Sequence, residues 1–184
     1  MLTFSKTIDL MKSDFQNKSF YPAQGFPYYF DLVKNDDLYT LFSSLSSVTL
    51  LKSIGEEKAT YRYAPTKWSI KQIMGHITDH ERIKMFRAFQ LSRNERVELW
   101  GYDQNLLVAN SRFDELSLEQ LLTDISSVRK ASLSFIDTLS ERQLKKKGKA
   151  RHYEITLEEF LKSIIGHERH HINIIKENYL KKTS

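Results

Sequence analysis

The sequence predicts an all-α protein: a four-helix bundle with an irregular N-terminal segment and a long connection after the second helix. Three observations carry that reading. Breakers are scarce, with 6 glycines and 3 prolines in 184 residues, too few for a turn-rich β fold. Apolar residues recur at the spacing of one helical face in four separate stretches. Two of those stretches open on a capping box, a Ser or Thr followed at the third position by Gln or Glu, which satisfies two orphan backbone donors reciprocally. Amphipathic helices must bury their stripes, and four of them do so most simply against one another.

Residues 1–29 read as irregular, because Pro22, Gly25 and Pro27 punctuate an aromatic stretch. Residues 30–53 read as the first helix, with Phe30, Val33, Leu38, Leu41, Phe42, Leu45, Val48 and Leu51 at helical spacing and Gly55 past its end. Pro65-Thr66 opens the second, which carries Ile70, Ile73, Ile77 and Phe86 and runs to about Ser92. Residues 93–116 form a connection with room for a short helix, and a connection this long in a compact domain is often functional. The capping box Ser117–Gln120 starts the third helix, with Leu118, Leu121, Leu122, Ile125, Val128, Ile136 and Leu139. A basic loop follows. The box Thr156–Glu159 starts the fourth, which carries Phe160, Ile164, His167, His171, Ile175 and Tyr179 and ends near Leu180. The length fits one domain, so residues 1–29 are an extension packing on the bundle and 30–184 the bundle domain.

Composition removes several function classes. With no cysteine there is no disulfide, thiolate metal site or protein thiol nucleophile. No apolar run approaches the ~18 residues of a membrane helix, and Met1 to Leu10 lacks the apolar centre of a signal peptide. A cytoplasmic protein is expected. The net charge is only +5, and its densest cluster, Lys145-Lys146-Lys147-Gly148-Lys149-Ala150-Arg151, lacks interleaved aromatics and reads as a solvated loop rather than a nucleic-acid site.

The chemistry concentrates in the histidines. His167 and His171 are one turn apart on the line of Phe160 and Ile164, so their imidazoles share a helix face and can reach one metal ion. His76 and His80 have the same spacing in the second helix, bordering its apolar face. Spacing alone therefore offers four ligand candidates: His76, His80, His167 and His171. His170 points about 100° away from His171 and His152 sits in the basic loop, so both read as surface residues. Gly75 and Gly166 each precede a candidate ligand inside a helix, where they serve helix packing or give clearance beside a metal. Three neutral imidazoles suit zinc or nickel and leave coordination positions open, the catalytic rather than the structural arrangement. Asp79, three residues from His76, and Asp103, in the long connection, are candidate general bases; a surface carboxylate and a helix N-cap are their plainer readings.

The stretches Tyr61 to His76, Asp79-His-Glu-Arg82, Tyr102-Asp-Gln104, Val128-Arg129 and Gly166-His-Glu-Arg-His-His171 resemble, in order and spacing, the DinB-like superfamily, and within it the bacillithiol transferase-like (YfiT-like) branch. The resemblance runs from about residue 26 to the C-terminus. It implies a four-helix bundle with non-sequential packing of its long helices. It implies a divalent metal on His76, His167 and His171, which leaves His80 as a fourth ligand or a hydrogen-bonding partner of substrate. Asp79 and Asp103 match recurring positions. The activity implied is that of a metal-dependent hydrolase, or of a transferase that attaches a low-molecular-weight thiol to an electrophile. The expectation is thus a metalloenzyme, zinc or nickel, that activates a thiol or water for attack on a small electrophile. Its partners are small molecules, with neither nucleic acid nor membrane and with a homodimer left open. The alternative is a non-catalytic metal-binding stress-response or binding protein.

Overall fold

The computed structural model describes residues 25–93, 102–150 and 153–181. Among these, α1 (Phe26–Asp31), α2 (Leu38–Ser43), α3 (Ser46–Lys52) and α4 (Glu56–Ala59) precede α5 (Ile70–Ser92). Then come α6 (Gln104–Ala109), α7 (Leu118–Ile136), α8 (Glu141–Leu144), the strands β1 (Lys147–Ala150) and β2 (Tyr153–Thr156), and α9 (Leu157–Ile174). A π-helical turn, Ile175–Tyr179, continues α9.

Residues 30–53 are not one helix, and the polar residues between the apolar ones explain why. The Asp37 carboxylate accepts from Thr40 N and caps a new start at α2. Leu45 then adopts φ 45°, a left-handed conformation that no helix interior accommodates, and Ser44 Oγ bonds back to the Leu41 carbonyl. The periodicity misled because each fragment still turns its apolar residues inward: Val33, Leu38, Leu41, Phe42, Val48 and Leu51 are all buried. α1 begins at Phe26, inside the stretch expected to be irregular, because Pro27 stands in the first turn, where its missing N–H costs nothing.

α5 begins later than Pro65. Its N-cap is Ser69, which forms a full capping box with Gln72, and Arg62 Nη1 braces that start by donating to Gln72 Oε1 (2.6 Å) and the Lys67 carbonyl. The boxes at Ser117 and Thr156 form as expected, and the α5 end at Ser92 agrees. Phe86 is not part of the inward face; it is 62% exposed. The basic segment is an antiparallel hairpin, Lys147 opposite Thr156, rather than a loop. Lys147 pairs with Glu154 and Lys146 Nζ donates to the Ser92 carbonyl, so this cluster is partly neutralised by its own fold.

The bundle order is not sequential. α9 packs against α1, α2, α3 and α5; α7 packs against α2, α3 and α5. Going round, the order is α2/α3, α7, α5, α9, so α2/α3 stands diagonal to α5 and α7 diagonal to α9. Two apolar cores result. One gathers Phe42, Phe160, Leu161 and Ile165; the other Leu51, Ile70, Met74, Ile125 and Ile175. Residues 76–84, 126–132 and 166–171 fall between them along α5, α7 and α9 and supply a buried polar layer. No helix among the described residues is long and apolar enough to cross a membrane.

Candidate metal centre

The polar layer holds His76 from α5 and His167 and His171 from α9. His76 and His167 are 2% and 3% exposed; His171 is partly exposed, with its Nδ1 enclosed. One ligand atom from each lies within 4.8 Å of the others. His167 Nε2 is 3.1 Å from His76 Nε2 and 3.1 Å from His171 Nε2. Two nitrogens each ~2.05 Å from a tetrahedral zinc would stand about 3.3 Å apart, so these two separations would suit a shared ion.

No assignment of protons satisfies these three rings by themselves. If His167 Nε2 accepts from both neighbours, its Nδ1–H is buried with no acceptor; if it donates, it reaches only one of them. The Nδ1 atoms of His167 and His171 have no hydrogen-bond partner among the described residues. Among the Nε2 atoms, a cation at the convergence of their lone pairs would relieve the conflict, with the one proton of each ring then left on Nδ1. Burial also keeps the rings neutral, as ligands must be. It pushes His76 down to about 4 and His167 and His171 well below the ordinary histidine value.

Aromatic residues wall the cluster. Trp68 lies 4.9 Å from His76 and Tyr29 lies edge-on to His167 at 5.0 Å, ring centre to ring centre. The two glycines explain how the walls approach. A Cβ at Gly166 would stand 1.9 Å from the Tyr29 carbonyl oxygen, and one at Gly75 would enter the Phe113 ring at 2.4 Å. Their clearance serves helix and loop packing, not an ion. His170 is not a surface residue either: it is half-buried, with Tyr28 Oη 3.1 Å from its Nδ1.

The remaining sequence candidates stand as follows. Asp79 is half-buried on α5, ion-paired with Arg82 (3.0 Å), and burial raises its carboxyl against that pairing. Asp103 caps α6 through bonds to Asn105 N and Leu106 N. The long connection does reach the histidines, through the residue before it: Tyr102 Oη lies 2.5 Å from His80 Nδ1. His80 stacks on His167 at 3.7 Å with 16° between the planes.

Sequence reasoning missed a second cluster in the same layer. Arg129 of α7, 1% exposed, donates through Nε and Nη2 to Glu81 of α5 (2.9 to 3.1 Å), through Nη2 to Glu168 of α9 (2.5 Å) and through Nη1 to the Phe42 carbonyl. Ser132 Oγ donates to Glu81 and Ser47 N to Glu168. Burial would lower the guanidinium's pKa, but Glu168 and Glu81 outweigh it and raise it further. The signal was present: Arg129 interrupts the buried line of Leu121, Ile125 and Ile136, and the tripeptide His-Glu-Arg occurs at 80–82 and again at 167–169.

The chain is similar in fold to YfiT from Bacillus subtilis, described as a probable metal-dependent hydrolase with an unusual four-helix bundle topology. The TM-score is 0.62 at 18% identity, over 88% of this chain and 89% of that one. No curated protein matches significantly. The family model described as the DinB superfamily matches residues 46–175, which takes in His76, the polar layer and both helices that carry the histidines; the chain belongs to the DinB superfamily.

Proposed function

We propose that His76, His167 and His171 hold one divalent cation, zinc or nickel, and that the protein is a metal-dependent enzyme acting on a small electrophile. The observation that carries this is the convergence of three buried, neutral Nε2 atoms from two helices. Such an ion supplies Lewis acidity, letting a water or a low-molecular-weight thiol give up its proton near neutral pH. Three protein ligands leave room for that nucleophile.

The chain's own residues do the rest. Tyr29 and Trp68 keep the cluster away from solvent. Asp79 is the proposed proton acceptor, since burial raises its carboxyl and its charge acts on Tyr102, which reaches His80. Asp103 holds α6 and thereby the connection that carries Tyr102. In the thiol reaction a sulfur–carbon bond forms while a carbon–chlorine or epoxide carbon–oxygen bond breaks; the thiol proton passes to Asp79, and either chloride departs or the ring-opened alkoxide, still part of the product, takes up a proton. In hydrolysis the oxygen of water takes the place of sulfur. The family's bundle with a YfiT-like course supports the reading, as does that relative's description.

The test has two parts. Elemental analysis of tag-free protein should give one divalent ion per chain, absent from His167→Ala. Metal-loaded protein is then incubated with a chloronitroaromatic or an epoxide, with and without thiol. Product only with thiol identifies a transferase and product without it a hydrolase. Metal-replete protein inert toward both classes would leave the non-catalytic binding protein standing.

A further inference from the structure

We infer that His80 is not a fourth metal ligand but a neutral hydrogen-bond donor beside the metal centre, its tautomer fixed by Tyr102, and that its Nε2–H is directed to the acceptor atom of a bound nucleophile or substrate. This rests on the metal reading of His76, His167 and His171.

The first ground is geometric. An imidazole's donor lone pair lies in the plane of its ring. The His80 ring is nearly parallel to that of His167, 16° between planes, and stacked on its face at 3.7 Å between centres. An ion in line with His167 Nε2 lies near the plane of His167, and so roughly one ring-stacking distance off the plane of His80. Nearly parallel lone pairs on stacked rings do not converge. His76 and His171, by contrast, stand at 69° and 74° to His167, the arrangement in which in-plane lone pairs do meet.

The second ground is the tautomer. Tyr102 Oη lies 2.5 Å from His80 Nδ1. A buried phenol keeps its proton, and burial raises this one further. The hydroxyl has no other acceptor among the described residues, so we read it as the donor, which occupies the Nδ1 lone pair. The one proton of the neutral imidazole must then sit on Nε2. His80 has no partner for Nε2 among the described residues, and that atom is not among the fully enclosed unpartnered ones. A donor is thereby held beside the metal centre, where a developing negative charge would accept from it. Tyr102 is a positioning residue: it acts through His80.

The experiment uses the full chain. Long-range 1H–15N correlation spectra of labelled, metal-free and zinc-loaded protein report each histidine's tautomer, with His80→Ala to assign the signal. Nε2–H on His80, and loss of that bias in Tyr102→Phe, are expected. In cobalt(II)-loaded protein, His80→Ala should keep the wild-type visible spectrum, while azide, an anionic probe for the open position, binds roughly three- to tenfold more weakly, the worth of one hydrogen bond. His80→Gln, which retains an N–H donor, should recover part of that loss. An Nδ1–H tautomer overturns the proposal, as does a cobalt spectrum altered in both His80 variants, or azide affinity equal to wild type. Failure of the wild type to take up cobalt overturns the metal reading instead, and the tautomer is still read from the metal-free spectra.

Discussion

Two buried polar clusters share the layer between the apolar cores, and they differ in how their bonds close. Around Arg129 the guanidinium and both carboxylates find partners within the fold: Glu81 from α5, Glu168 from α9, the Phe42 carbonyl and Ser47 N. Around His167 the ring nitrogens face one another, and two Nδ1 atoms have no partner among the described residues. The two clusters are interleaved in sequence, Glu168 following His167 and Glu81 following His80. Adjacent helical residues point about 100° apart, so each helix sends its glutamate toward α7 and its histidine toward the cleft between α5 and α9. The lesson is one of division of labour. The closed cluster ties the helices together; the open one, on the function proposed above, uses that spacing to hold its ion.

The comparison breaks most decisively at Arg129. Arg129→Met leaves two carboxylates, Glu81 and Glu168, buried without their counter-charge. Removing one partner of such a cluster costs about 3–5 kcal/mol. Urea unfolding of metal-free protein should show a loss of that size, with the slope of the transition unchanged. A loss under 1 kcal/mol would mean that the cluster is not holding the bundle.

His167→Ala should behave in the opposite way. Zinc at about 1,000 times its dissociation constant stabilises wild-type protein by about 4 kcal/mol, since it binds only the folded state. His167→Ala should lose that increment, while its metal-free stability changes far less than that of Arg129→Met. A zinc increment that survives the substitution would place the ion elsewhere.

The sequence made the open cluster easier to see than the closed one. Histidines are rare in this chain, so a pair at i and i+4 stands out, and the resemblance to a known family selected His76 over His80. Arg129, Glu81 and Glu168 were hidden among 51 charged residues, Lys+Arg 28 and Asp+Glu 23, nearly all expected at the surface. Only their position on buried lines distinguishes them. The long helices were legible because capping boxes and periodicity agreed. The break at residues 44–45 was not: Leu45 is apolar and on phase, and only its left-handed φ, set by the turn into α3, interrupts the helix. The hairpin was hidden because lysines and a glycine have low strand propensity; pairing between Lys147–Ala150 and Tyr153–Thr156 overrides it. Tyr102 could not be preferred to Asp103 from sequence, since which of two neighbours faces a helix depends on how the connection crosses it.

The glycine between α1 and the open cluster gives a smaller effect that sharpens the same contrast. In Gly166→Ala the new Cβ meets backbone, the Tyr29 carbonyl, which cannot swing aside as a side chain would. Overpacking of this kind costs about 1–3 kcal/mol, partly offset by alanine's ~1 kcal/mol better helix propensity. α1 must shift, and Tyr29 with it, so the edge-on contact over His167 opens. The expected outcome is a modest loss of thermal stability together with faster exchange of zinc into a chelator. A stability loss without any change in exchange would show that the α1 wall does not shield the histidines.

The smallest effect carries the opposite sign. Ser47 takes part in the closed cluster only through its backbone N–H, which donates to Glu168 Oε1 at 3.0 Å. Its hydroxyl is buried with no partner among the described residues. Ser47→Ala keeps the backbone bond, removes the unpaired oxygen and places a better helix former in the first turn of α3. Stability should rise by about 0.5–1 kcal/mol, measured by urea unfolding, with zinc affinity unchanged. A loss instead would mean that the hydroxyl is bonded in solution and that the closed cluster extends through Ser47, so that the line between the two clusters lies nearer the histidines than the closed bonds around Arg129 indicate.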